Sequence, residues 1–438
     1  MVQEKSLTGK WDEVWPDWET TADIPVPQSL MDQVIGQDHA VEWVRRAARQ
    51  RRSVLLVGEP GTGKSMLARA MADTMMPSEK RDVLVSANPR EYNQPLVRIV
   101  PAGEGRKEVD RWRMKVRNRL KAVRFLMVML VMTTMTVSLF YAWTRQEWWL
   151  LAIGPVLAYS LIHLSRRRRW REELMLMPRL LIDRSEETGV PFVDATGLHA
   201  GGLLGDVRHD PYQSGGLETP PHALVEPGAI HRADGGILFI DEISTLDMET
   251  QQRLLTAFQE KELAITGRHA GSSGSMIHTR PVPCDFLLVM AGNPPDLDRL
   301  HPALRSRIRG YGYEIHMNNS MPDTPANRFR LARFIAQEVR KDGRIPHFTK
   351  GAVDAVIEQA RVWAGQPSAL TTRFRDLGGL IRAAGDLAKE AGADLVMPSH
   401  VERAAVWIRP LYHQQGSLVP MCYGKQDAER KQPSIPSR

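Results

Sequence analysis

A glycine-rich stretch, Gly58-Glu59-Pro60-Gly61-Thr62-Gly63-Lys64-Ser65, ends in a lysine and a hydroxyl residue. It follows the apolar run SVLLV (53–57) and precedes the helix-like MLARAMADTMM (66–76), so the spacing GxxxxGK[ST] falls between a strand and a helix. In that setting the glycines let backbone N–H groups curl around a phosphate, and the start of the helix favours negative charge. Lys64 is then positioned to reach the β/γ-phosphates of a nucleotide, and the Ser65 hydroxyl to ligate Mg²⁺. An ordinary turn would account for the glycines but not for Lys-Ser at the head of a helix.

Four further constellations follow in order. Gly235-Gly236-Ile-Leu-Phe-Ile-Asp241-Glu242 reads as a buried parallel strand with two acids at its carboxyl end. Asp241 suits Mg²⁺ held through water, and Glu242 suits polarisation of an attacking water. Taken alone, the two acids could equally cap the next helix. The run from Asp285 to Pro294 is a second apolar strand ending in Asn293, an amide able to orient water and also a good turn residue. His301-Pro-Ala-Leu-Arg305-Ser-Arg307-Ile-Arg309 sets three arginines just after a short helix, where one can stabilise phosphoryl charge and the others can form a solvated edge. Arg373 and Arg375 open a helix near the C-terminal end and can lean over a nucleotide.

These groups need a parallel sheet to bring its strand ends together, and the chain alternates accordingly up to about residue 315. Beyond Pro325 the apolar residues recur at helical spacing in RFRLARFIAQEVRK, GAVDAVIEQARVWA and FRDLGGLIRAAGDLAKEAG. Within the α/β part lies an interruption. Phe125–Thr144 and Trp148–Leu164 carry no charge, and each is long enough to cross a bilayer, the second only just. Nine Lys/Arg between 106 and 124 and five arginines between 165 and 171 flank the outer ends. By the positive-inside rule both outer ends face the cytoplasm. A buried hairpin of a soluble domain would not require those flanks.

The same clusters explain the net charge of +7, because the rest of the chain holds 44 basic residues against 49 acidic ones. No nucleic-acid partner is expected. Cys284 and Cys422 lack zinc or disulfide spacing, and residues 1–24 lack the apolar core of a signal peptide.

With these residues in hand, the order Gly58–Ser65, Asp241-Glu242, Asn293, Arg307, Arg375 resembles that of AAA+ ATPases. More narrowly, residues 34–72, 202–243, 303–317 and 374–388 resemble the ATPase half of the archaeal-type, membrane-anchored Lon protease (LonB), as does the two-span insertion. The resemblance covers roughly residues 30–412. It implies an α/β P-loop core with flanking helices, a C-terminal helical lid and an inserted two-helix transmembrane hairpin. It implies ATP and Mg²⁺ as ligands, with Ile35 in the adenine pocket and Gly58, Glu59, Pro60, Gly61, Thr62, Gly63, Lys64 and Ser65 on the phosphates. Ser65 and Asp241 would serve the metal, Glu242 the water, and Asn293 would be sensor one. Arg307 would be the finger offered in trans (Arg305 in reserve), and Arg375 sensor two (Arg373 in reserve). Leu203 and Leu204 would lie on a pore loop gripping polypeptide. The implied assembly is a homo-oligomer, a hexameric ring in the cytoplasmic membrane in contact with lipid, acting on unfolded or membrane proteins.

The implied organisation is a flexible lead-in (1–30), core with Walker A (31–104), membrane hairpin (105–171), second core part (172–320), lid (321–412) and polar tail (413–438). The family continues into a Ser–Lys protease domain, for which no dyad context stands around Ser417, Ser434 or Ser437. The expectation is therefore a motor without peptidase activity of its own, the protease half being a separate chain, lost, or missing from this sequence. The alternative is a MoxR- or chelatase-like remodelling chaperone. A DNA-associated ATPase has only the isoelectric point behind it.

Overall fold

The computed structural model describes residues 18–145, 154–156, 159–160, 176–208, 219–268 and 276–408. Most of the second apolar run, the arginines at 165–171, Cys422, the tail serines and residues 1–17 lie outside the described residues. The chain divides into two compact units: Ser29–Glu59 with Gly63–Met317, and Met1–Gln28 with Pro60–Thr62 and Asn318–Arg438.

The first unit is built on five parallel strands. In spatial order these are Tyr313–His316, Val54–Val57, Leu287–Gly292, Ile237–Ile240 and Phe192–Asp194. Val54 pairs in register with both Val289 and Tyr313, and Leu287 with Ile237. The three central strands are buried along their whole length, which is why their sequences read as unbroken apolar runs rather than alternating ones. Successive residues feed opposite layers. Val54, Leu56 and Phe239 pack on one side with Val44, Leu67 and Met71, while Leu55, Val57 and Ile240 pack on the other with Leu254 and Leu304. Each fully buried side chain of this size contributes about 1.5–3 kcal/mol. Because the strands are parallel, all five carboxyl ends lie along one edge.

A second, antiparallel sheet of Leu96–Pro101, Arg81–Ser86 and Arg179–Ile182 brackets the insertion. From it springs a helix of 42 residues, Glu104–Arg145, about 60 Å long at 1.5 Å per residue. Its root is held by Asp82, which is fully buried. One carboxylate oxygen accepts from the N–H groups of Gly103 (2.7 Å) and Gly105 (3.1 Å), and the other from Arg184 N–H (2.9 Å). The anion thus meets the positive end of the helix dipole and satisfies two otherwise unpaired donors. Further along, Phe125, Leu126, Val128, Met129, Met132 and Phe140 are all exposed. This helix is long and apolar enough to cross a membrane, and it is the one such helix among the described residues. The described residues around Gly154 approach it closely: a Cβ on Gly154 would sit 3.0 Å from Ser138 Cβ and 3.1 Å from Thr134 O.

Among its described residues the second unit carries four helices, Pro325–Asp342, Lys350–Ala364, Phe374–Glu390 and Pro398–Trp407. Thr324 and Thr349 cap the first two, accepting from Asn327 and Ala352 N–H, and Gly343 and Gly365 end them in the left-handed conformation. The lead-in is not loose in its described part. Thr21 and Ile24 are fully buried, Thr20 bridges Thr349, and Arg340 donates to the carbonyls of Ala22 and Ile24. The polar text of 18–24 conceals this, because Thr21, Ala22 and Ile24 find partners more than 300 residues away.

Candidate nucleotide site

The glycine-rich loop leaves the strand Val54–Val57 and runs into the helix Lys64–Thr74. Gly63 stands at the head of that helix with φ +91°, a conformation in which a side chain would be strained. Gly58 N–H donates to Gly292 O (3.1 Å), tying the loop to the neighbouring strand end. Lys64 is buried, and its ammonium donates to Gly58 O (2.6 Å), Glu59 O (3.0 Å) and Asn293 Oδ1 (3.3 Å).

Ser65 Oγ donates to Asp241 Oδ2 at 3.1 Å. The other oxygen of Asp241 accepts from Glu242 N–H (3.0 Å), and Asp241 N–H donates to Thr196 Oγ1 (3.0 Å). Glu242 is exposed and adopts φ +54°, ψ +58°. A glutamate in this left-handed region costs on the order of 1–3 kcal/mol, a cost met here by a packed strand on one side and a short 3₁₀ turn on the other. Asn293 is fixed through its own N–H, which donates to Asp296 Oδ2 at 2.8 Å. Three sequence motifs therefore converge at one edge of the sheet: Lys64 touches Asn293, and Ser65 touches Asp241. The Ser65 and Asp241 oxygens are close enough to face one small divalent cation, for which two protein oxygens plus phosphate and water suffice.

His231, on the short helix Ala229–Arg232 that precedes the strand Ile237–Ile240, is fully buried between Gly228 N–H, which donates to Nδ1, and Leu263 O, which faces Nε2. Burial pushes its pKa down to about 4, so the ring is neutral.

The arginines separate by their contacts. Arg305 Nε and Arg309 share the carboxylate of Glu314 (3.1 and 3.2 Å). Arg307 instead lies over the ring of Tyr311, 4.4 Å from its centroid. Ile35 is buried, beside Gly36 at φ +69°. In the second unit Arg375 is exposed on the first turn of the helix Phe374–Glu390, just after Arg373, and Phe374 N–H donates to Gly61 O (2.9 Å). Leu203 and Leu204, expected on a pore loop, are buried in this structure. They end a short helix, Ala200–Leu204, are essentially inaccessible, and pack with Ile230, Leu238 and Leu254. Their side chains belong to the core of this unit.

Three family models match parts of the chain: magnesium chelatase subunit ChlI over residues 30–94, the sigma-54 interaction domain over 222–278, and the archaeal LonB AAA+ ATPase lid domain over 347–406. Archaeal Lon protease of Archaeoglobus fulgidus is 53% identical over 388 residues, covering 89% of this chain and 62% of that one. A putative Lon protease homologue of Methanothermobacter thermautotrophicus is 35% identical, covering 89% of this chain and 88% of its own length. The chain belongs to the archaeal Lon (LonB) family. It spans less than two thirds of the length of the archaeal Lon proteases it matches at about 50% identity. Among solved structures, NtrX of Brucella abortus in complex with ATP aligns with 90% of this chain and 60% of that one, at a TM-score of 0.39 and 12% identity.

Within this LonB-family AAA+ module, sequence reasoning missed Thr196 and Asp296. Each anchors a motif residue through one hydrogen bond to its main-chain N–H. Thr196 carried no local signal, because its partner is 45 residues away. Asp296 could have been found from its i+3 spacing after Asn293, a common side-chain lock on a turn.

Proposed function

We propose that this chain is the ATP-hydrolysing motor of a Lon-like, membrane-anchored protein-unfolding machine. The contact of Lys64 with Asn293, beside that of Ser65 with Asp241, carries the reading. It collects a phosphate-binding cation, a metal-side hydroxyl and carboxylate, and a water-orienting amide on one sheet edge. Gly58 to Ser65 hold the triphosphate of ATP, with Lys64 exchanging its carbonyl partners for the β/γ-phosphates. Ser65 and Asp241 would hold Mg²⁺, which when bound neutralises phosphate charge. Glu242 takes the proton of the attacking water, and Asn293 orients that water. Arg307 is offered to the γ-phosphate on a neighbouring subunit, since Glu314 already engages Arg305 and Arg309. Ile35 lines the adenine pocket, and Arg375 leans in as sensor two.

The ring is a homo-oligomer, six-membered as in the implied family assembly, and its work is the unfolding and translocation of polypeptides towards a protease domain. Anchoring rests on the exposed apolar half of Glu104–Arg145, on its basic root, and on the close approach of Gly154 to Ser138, which suits a returning second span. That arrangement keeps the ATPase unit on the cytoplasmic side. The chelatase-like alternative draws on a match confined to residues 30–94.

The test is ATP turnover by the detergent-solubilised chain, with cleavage of an unfolded reporter followed in the same tube. Mg²⁺-dependent turnover that rises with oligomerisation and accelerates on addition of the reporter is expected. Absence of turnover at every protein concentration overturns the motor reading, and turnover indifferent to unfolded polypeptide leaves only the ATPase.

A further inference from the structure

Three arginines leave the helix Pro302–Tyr311 within five residues, yet their surroundings differ. Glu314, on the edge strand Tyr313–His316, binds both Arg305 and Arg309 and so holds them against the sheet. Arg307 has no carboxylate among the described residues. Its guanidinium lies on the face of Tyr311, one helical turn further on.

The two tyrosines around Gly312 are used in opposite ways. Tyr313 packs on Trp43 with ring centroids 5.0 Å apart, and its hydroxyl donates to Gln50 Oε1 at 2.7 Å. Tyr311 is 60% exposed, and its one ring contact among the described residues is a cation. Its backbone is nevertheless rigidly placed. Gly312 passes so near Ser53 that a Cβ there would lie 2.2 Å from Ser53 O, and Tyr313 N–H donates to the same oxygen at 3.0 Å. The platform is therefore fixed to the central strand that also carries the phosphate loop, while its ring stands in solvent beneath Arg307.

We infer that Tyr311 is a positioning residue for Arg307: its ring holds the guanidinium extended and flat, ready for the nucleotide of the next subunit. The inference rests on the assignment of Arg307 as the trans-acting finger. Stacking on an aromatic face restricts a long, flexible side chain without consuming its N–H donors, which stay available for phosphate oxygens. A carboxylate partner, as at Arg305 and Arg309, would occupy those donors and oppose the transfer to phosphate.

Steady-state ATP hydrolysis by the full chain in detergent tests this, with nucleotide affinity and oligomeric state measured on each variant. Arg307→Ala is expected to abolish turnover while leaving ATP affinity intact. Tyr311→Ala lowers kcat about 3- to 10-fold at unchanged KM, and Tyr311→Phe, which keeps the ring, restores it to within about 2-fold. In an Arg307→Ala background the tyrosine change adds no further loss, because the two act as a unit. Wild-type turnover in Arg307→Ala sinks the finger assignment itself. A defective Arg307→Ala beside a fully active Tyr311→Ala leaves the finger standing and overturns the positioning role. Equal loss in Tyr311→Phe and Tyr311→Ala shows that the hydroxyl, not the ring, matters and overturns it too. If Tyr311→Ala fails to assemble, Tyr311→Leu of similar bulk decides, since it lacks the π-face and must show the same kcat defect.

Discussion

Lys64 Nζ lies 3.3 Å from Asn293 Oδ1, bringing together residues 229 positions apart in sequence. The pairing follows from the sheet. Val54–Val57 and Leu287–Gly292 are adjacent parallel strands in register, so the loops that leave them must start side by side. The Lys64 ammonium is held by carbonyl and amide oxygens, which stabilise its charge without the full cost of a buried ion pair.

Lys64→Ala removes that cation from a buried, hydrogen-bonded position. Binding of a fluorescent ATP analogue is expected to fall below detection, whereas far-UV circular dichroism stays native. Normal binding would remove the loop from the proposal.

Glu242→Gln keeps shape and hydrogen bonding but not basicity. ATP binding should persist while turnover falls by about 10²–10⁴, and single-turnover assays should find unhydrolysed ATP retained. Glu242→Gly should be equally inactive yet more stable by up to about 1 kcal/mol, because glycine accepts φ +54° without strain. Thermal melts of the two variants separate the chemical from the conformational effect.

Leu203→Ala tests the core assignment. A buried leucine truncated in a packed layer costs about 2–5 kcal/mol, so the first effect should be a lower melting temperature. A variant with unchanged melting temperature and impaired polypeptide translocation would return these leucines to the pore.

His231 supplies a pH signature. Its folded pKa, about 4, lies below the ordinary histidine value, so the unfolded chain takes up a proton first as pH falls. The contribution of His231 is complete above about 6.5 and is lost progressively between there and pH 4. Chemical denaturation across that window should show a decline that His231→Gln reduces.

Asp323 anchors the second unit by accepting from Arg328 Nε (2.6 Å) and from Arg361 through Nε (3.0 Å) and a terminal nitrogen (2.7 Å). The Arg328 hydrogen bond, then that of Arg361, holds its carboxyl below the usual carboxylate range. The stability it adds is therefore present above about pH 4 and lost as pH falls through its folded pKa. Asp323→Asn should cost about 1.5–3 kcal/mol at neutral pH, read by the melting of this chain with and without the substitution.

Much of the site was legible because its parts are local. A lysine after three glycines, or two acids after four apolar residues, signals its chemistry within eight positions. What escaped the sequence depends on distant partners. Glu314 decides which arginine is left for Tyr311, yet it sits outside the arginine run. Leu203 and Leu204 beside Gly205 read as well for an exposed loop tip as for a core, and only the layer of Ile230, Leu238 and Leu254 decides between them. The left-handed backbone at Glu242 is invisible in a residue type that seldom adopts it.

The grip of Asp82 on Gly103, Gly105 and Arg184 has a consequence for how such a chain can change. The excursion departs and returns at a single carboxylate, and a Cβ on Gly105 would lie only 2.7 Å from Leu180 Cδ1. The described ends of the insertion are thus tied together at Asp82, between the strand that leaves the small sheet and the strand Arg179–Ile182 that rejoins it. What lies beyond the helix root can be lengthened or exchanged, and the edge of the other sheet that carries Lys64 and Asp241 need not register the change.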